Sequence, residues 1–163
     1  MNEKFLSRGK REDTEKWVEG YYVELPEDQH GKKLHLIIGL DGQYNRIIPE
    51  TVGQYTGKEL HGEKLFVGDI VEDYEDYDDK WGYPATNYAR SVIIWDEENF
   101  CYAFNTDGYI QPFSDWEWET TTKIGNIHDN KQMLSRADMP ISNDVFQPVL
   151  QPATPENFEI SPA

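Results

Sequence analysis

The block from Ile48 to Val71 constrains the chain's architecture more than any other stretch. Thr51, Val52, Tyr55, Leu65, Phe66, Val67, Ile70 and Val71 favour strands, and Gly53, Gly57, Gly62 and Gly68 turn or break the chain between them. Runs this short, punctuated by glycine, must reverse tightly. The block therefore predicts a mainly β protein built on a small, strongly bent β-barrel. No helical pattern follows these glycines to supply N-terminal amides, so they read as turn and bulge residues and not as a phosphate cradle.

The flanking sequence extends this reading. Residues 5–25 predict a hairpin with arms at Phe5–Lys10 and Trp17–Leu25 and a polar turn at Glu12–Glu15. Leu34–Leu40 reads as a strand, and Asp41-Gly42 as a two-residue hairpin connection. Pro49 lacks an N–H for a ladder, which places it at a strand end or edge. Ala89–Trp95 is the clearest later strand, with a turn at Asp96–Asn99 and a partner at Phe100–Phe104. Asp107-Gly108 marks another turn. Phe113–Glu119 alternates ring and polar residue, the pattern of a half-buried strand. Ile124–Ile127 predicts a last short strand. The single short helix expected spans Asp129–Ala137, with Asp129 or Asn130 as N-cap.

Two segments differ in composition. Residues 72–79 hold six acids in eight positions: Glu72, Asp73, Tyr74, Glu75, Asp76, Tyr77, Asp78 and Asp79. They read as a solvated loop that continues through Trp81–Tyr88. From Asp138 onward lie five of the nine prolines and no lysine or arginine. Residues 1–137 thus form the predicted β domain with long loops. Residues 138–163 form a proline-rich acidic tail, extended or disordered, whose apolar residues 145–150 could lie along the barrel or a neighbouring subunit.

Charge and cysteine content narrow the function. The formal net charge is −16, which repels nucleic acid and anionic lipid and makes direct nucleic-acid binding an unfavourable function. The one cysteine, Cys101, permits no intrachain disulfide and reads as an inert thiol in a strand. No signal-peptide core or long apolar span occurs, so a cytoplasmic protein without membrane contact is expected. His30, His35, His61 and His128 fall in separate segments without metal-ligand spacing. The acidic run fails the calcium-loop pattern because its glycine comes one residue late. No nucleophile elbow, P-loop or dinucleotide fingerprint is present. Asp69 and Asn126, each after a glycine, read as side chains that bond turn amides. Neither a cofactor nor a metal site is expected.

Three motifs, in order, carry a family resemblance. Phe5–Arg11, with its Arg8-Gly9-Lys10 cluster, precedes Trp17-Val18-Glu19-Gly20-Tyr21. The glycine-rich block follows with Pro49, Gly53, Tyr55, Thr56, Gly57, Gly68 and Asp69. Lys123-Ile124-Gly125-Asn126-Ile127-His128-Asp129-Asn130 closes the series, after Trp95 in the strand between. Together these resemble the YopX family of small proteins encoded by phages and prophages. His128 stands where a tyrosine is usual, and Gly57–Gly62 is about a residue shorter than the family's turn. The resemblance implies the bent β fold and structural roles for these motif residues. It implies no reaction, so no catalytic residue is carried over.

The resulting expectation is a noncatalytic phage or prophage accessory protein that contacts a host or phage protein. Arg8, Lys10 and Arg11, the one basic cluster, and the acidic run 72–79 are the candidate contact residues. The runner-up is an acidic mimic of nucleic acid that occupies a host protein's DNA groove. An enzyme built on Asp69, His61 and a second carboxylate is the third reading. An open barrel edge also favours pairing with a second copy, against the net charge.

Overall fold

Strand β1 (Leu6–Lys10) and strand β2 (Trp17–Leu25) form the expected N-terminal hairpin, with Leu6 opposite Tyr21 and Lys10 opposite Trp17. They belong to a computed structural model that describes residues 3–135. The predicted tail and its docking segment lie outside the described residues.

Strand β3 (Leu34–Gly39) pairs with β2 and with the short β4 (Tyr44–Arg46). The β3–β4 connection is one residue longer than the sequence suggested. Gly39 donates its N–H to Gln43 O at 2.8 Å, which leaves Leu40, Asp41 and Gly42 in the loop. Gly42 takes a φ of +79°, which glycine adopts without strain. The chain then curls back onto β1. Ile47 bridges Arg11, and Ile48 donates its N–H to Lys10 O at 2.9 Å. A one-turn 3-10 helix at Pro49–Thr51 completes the reversal, so Pro49 sits at a strand boundary as expected.

Strand β5 (Gly53–Leu60) therefore lands on the other side of β1, and β6 (Glu63–Phe66) pairs with it. The order of this sheet is β4-β3-β2-β1-β5-β6. Gly57 forms a bulge inside β5, where the register slips between Tyr55 and Glu59. His61 and Gly62 alone make the turn, both at positive φ, as a tight I′-type hairpin requires. Close backbone approach explains two of the motif glycines. A Cβ on Gly20 would stand 2.0 Å from Ile38 O, and one on Gly53 would stand 2.2 Å from Val67 O.

The second sheet comprises β7 (Asp69–Asp78), β8 (Pro84–Asp96), β9 (Cys101–Thr106), β10 (Tyr109–Pro112) and β11 (Thr122–Asn126), in the order β10-β9-β8-β7-β11. The acidic run is not a loop. It is the outer half of β7, in continuous register with β8 from Ile70 opposite Val92 to Asp78 opposite Pro84. The strand predicted at 89–95 accordingly begins at Pro84. Residues 113–119 do not form a strand either. A 3-10 turn at Phe113–Asp115 leads into unpaired chain, yet Phe113, Trp116 and Trp118 still face the core. The helix expected at 129–137 is only a 3-10 turn at Lys131–Leu134; Asn130 stands at its N-cap position as expected but makes no side-chain cap bond.

Leu60, Leu65, Val71, Ile93 and Phe104 form the main buried cluster. The Phe104 ring lies 4.1 Å from Trp116, 4.6 Å from Phe113 and 5.3 Å from Trp118 between centroids. These rings supply area that a 37% apolar chain would otherwise lack. Leu6, Tyr55 and Phe66 form a second cluster inside the curled first sheet. Strands take up 56% of the described residues and no helix reaches seven residues, so the molecule is a mainly β, strongly curled half-barrel.

Candidate functional site

Arg8 is 7% exposed, so it is not a free edge charge. Its guanidinium carbon lies 4.7 Å from the Trp17 ring centroid and 4.9 Å from that of Phe66. Nη2 donates to Asp69 Oδ1. Asp69, fully buried, also accepts the Phe66 N–H at 2.8 Å, the turn-amide bond its position predicted. Lys123 Nζ adds a second cation 3.2 Å from Asp69 Oδ2. The pair thus ties β1 of the first sheet to the start of β7 in the second.

A second ionic group lies alongside. Lys10 pairs with Asp129, and Trp17 donates its indole N–H to Asp129 Oδ2 at 2.7 Å. Asn126 donates to the same oxygen at 3.0 Å, while its own Oδ1 accepts the N–H groups of His128 and Asp129. Burial opposes the Asp129 charge, but hydrogen bonds from Asn126, Lys10 and Trp17 outweigh it and hold the carboxyl down to about 2. Burial, with Arg8 and Lys10 nearby, depresses the His128 imidazole. Arg11 stands apart and pairs with Asp13 at 2.7 Å in the hairpin turn. The predicted basic patch is therefore three separately neutralised cations. The motif residues Arg8, Trp17, Asp69 and Asn126, far apart in sequence, meet here as an internal fastening. Lys123 and Asp129 of the closing motif and Phe66 of the glycine-rich block complete it, and their ionic and ring contacts were not among the sequence expectations.

The acidic run has a different setting. Strand β11 accompanies β7 only as far as Glu72, and β9 accompanies β8 only from Val92. Asp73–Asp78 and their partners Pro84–Ala89 therefore continue as a two-stranded ribbon. Its base is fixed: Arg90 Nε donates to Glu72 Oε2 at 2.7 Å and Nη1 donates to Met133 O at 2.8 Å. Thr120 donates to Asp73, and Tyr74 stacks obliquely on Tyr88 with centroids 6.3 Å apart. Thr86 donates to Asp76 at 2.7 Å. At the tip, Asp79 Oδ1 accepts the N–H groups of Trp81 and Tyr83, each at 2.8 Å. Tyr74, Tyr77, Trp81 and Tyr83 are all exposed, as are Glu75, Asp76 and Asp78. Carboxylates and phenol rings so arranged can make ionic, hydrogen-bonded and apolar contacts at one surface.

The ionic fastening and the ribbon are thus distinct places. Trp95, at 43% exposure, packs edge-on against Tyr102 and belongs to neither. His61 lies in an exposed turn, whereas Asp69 is wholly buried. Among the described residues no group of three or more His, Cys, Asp or Glu side chains is placed to hold a metal ion. Nor is any described helix long and apolar enough to cross a membrane.

No curated protein and no solved structure matches the chain. The family model described as YopX protein matches residues 6–135, the span that carries the hairpin, the curled sheet, the ionic fastening and the ribbon, and the chain belongs to the YopX family.

Proposed function

We propose that this protein is a noncatalytic accessory protein of a phage or prophage, working in the host cytoplasm by contact with a host or phage protein through the β7–β8 ribbon. The observation that carries this reading is the ribbon itself. Two strands run on past the sheet that supports them and present exposed rings and exposed acids. Such an extension adds little to the core, and isolated two-stranded hairpins are marginal in water. Rings with a polar tip are the side chains that dominate contact energy at protein interfaces.

A second reading, mimicry of nucleic acid, draws on the same strand. Side chains along one face of a strand recur every ~6.6 Å, so Asp76 and Asp78 form a regular charged row on the Tyr74 face. One experiment separates the two. The full chain and two variants, Tyr74→Ser/Tyr83→Ser and Glu75→Gln/Asp76→Asn/Asp78→Asn, are used as bait in host lysate. The expected outcome is one stoichiometric protein that binds the parent and is lost with the ring variant. A partner displaced by duplex DNA and lost only with the amide variant would select mimicry. A partner that binds both variants as well as the parent would remove the ribbon from the contact surface.

A further inference from the structure

The ribbon has an open side. Beyond Glu72, where β11 stops, the outer edge of β7 has no strand beside it among the described residues. Every second residue of 73–78 turns its N–H and C=O to that side. Such an edge is a template for another strand, and proteins usually blunt it with proline, a bulge or a covering element. The opposite edge carries one such device, Pro84 at the start of β8. Past Asp73, whose carboxylate accepts the Thr120 hydroxyl, the β7 edge carries no proline. Its register with β8 is unbroken from Ile70 to Asp78, with no bulge to twist the edge away.

We propose that this edge receives an extended, lysine- or arginine-rich segment of a partner protein as an added antiparallel or parallel strand. The inference rests on the ribbon being the contact surface and names the chemistry of what it contacts. Charge decides the occupant. Glu75, Asp76 and Asp78 flank the edge on both faces and are all exposed. A second copy would bring the same carboxylates opposite themselves, in a molecule of net charge −16. Nucleic acid would add its own negative charge. A basic strand places cations beside these acids while its backbone completes the ladder, and the exposed Tyr74 and Tyr77 rings can cover its aliphatic stems.

The test uses the full chain and a dye-labelled peptide of roughly eight residues that alternates lysine and valine, long enough to span the edge at ~3.4 Å per residue. A matched peptide carries N-methyl groups on alternate amides. It keeps the charge and the side chains but cannot complete the ladder. The expected result is binding of the first peptide about tenfold or more tighter than its N-methyl twin, since several hydrogen bonds are lost together. Amide hydrogen exchange should slow at residues 73–78 in the complex. The Glu75→Gln/Asp76→Asn/Asp78→Asn variant should bind the peptide at least tenfold more weakly. Equal binding of the two peptides, or unchanged exchange at 73–78, would overturn strand addition. Protection at 73–78 that rises with protein concentration and no peptide would make a second copy the occupant, and would overturn it too. If a lysate partner is lost with the ring variant while the peptides bind alike, the ribbon remains the contact surface and only strand addition fails.

Discussion

Arg8 shows how little of a buried charge is visible in a sequence. Ser7-Arg8-Gly9-Lys10 has the composition of an exposed edge, and nothing in it announces burial. Its environment is assembled from residues distant in the chain: Trp17, Phe66 and Asp69. Asp69 was legible in part, because a short acid after glycine commonly bonds nearby amides. The ion pair was not, because it depends on how two sheets meet. This geometry sets a sharp asymmetry in mutational cost. Removing one member of a buried pair leaves an unpaired charge and typically costs about 3–5 kcal/mol, whereas replacing both with apolar residues of similar volume is often near neutral. Asp69→Ala should therefore lower stability by that amount in urea unfolding, and Arg8→Met/Asp69→Leu by clearly less than the single change. Lys123 keeps a stake in Asp69 at 3.2 Å, so the double variant leaves one cation to find Glu63, 3.9 Å away. If the double variant is as unstable as Asp69→Ala, the pair does not act as the fastening between sheets.

Among the elements, strands rich in aliphatic or aromatic residues were readable, and so were most turns, though not the length of the β3–β4 connection. Asp107-Gly108 and His61-Gly62 close hairpins at positive φ, as their residue types allow. The acidic strand was misread because Asp and Glu are poor strand formers and their alternation carries no apolar face. What holds it extended is β8, paired with it residue by residue as far as Pro84. Residues 113–119 erred in the opposite direction. The period-two pattern correctly turned three rings toward Phe104, but no neighbouring strand was present to make a ladder. Glycine at a crossing of elements offers the cleanest test at this scale. At Gly53, β5 passes so close to Val67 O that a Cβ would stand 2.2 Å from it. That atom is backbone and cannot rotate away. Gly53→Ala should cost at least about 1–3 kcal/mol, the usual range for forcing extra volume into a packed site, and should do so without changing the denaturant slope. A substitution within about 0.5 kcal/mol of the parent, the range of ordinary surface changes, would mean that the β5–β6 corner is looser than this contact allows.

At the scale of the molecule, bent β architecture was legible from the glycine spacing, while the strand order was not. β1 lies between β2 and β5 because the chain curls through Ile47, Ile48 and the 3-10 turn at Pro49–Thr51, a path that long-range pairing decides and local pattern does not. Net charge was legible from the start, and it carries a consequence for the assembled fold. The chain carries a formal charge of −16; folding brings much of that charge together, where it repels itself, and the unfolded chain spreads it over a larger volume. The ion pairs that oppose this differ in their response to salt. Arg8–Asp69 and Arg90–Glu72 are largely buried and screened little. Arg11–Asp13 and Lys33–Glu24 are exposed, and such pairs contribute little to begin with. Added salt therefore removes more repulsion than attraction. The thermal midpoint should rise as sodium chloride increases from about 0.01 M to about 0.1 M, where the screening length shrinks from ~30 Å to ~10 Å, and flatten by about 1 M. The Glu75→Gln/Asp76→Asn/Asp78→Asn variant removes three of these charges from the ribbon and should show a smaller rise. A midpoint that falls over the same range would mean that exposed ion pairs outweigh self-repulsion, and that the ribbon acids are held by partners within the fold instead of standing ready for one outside it.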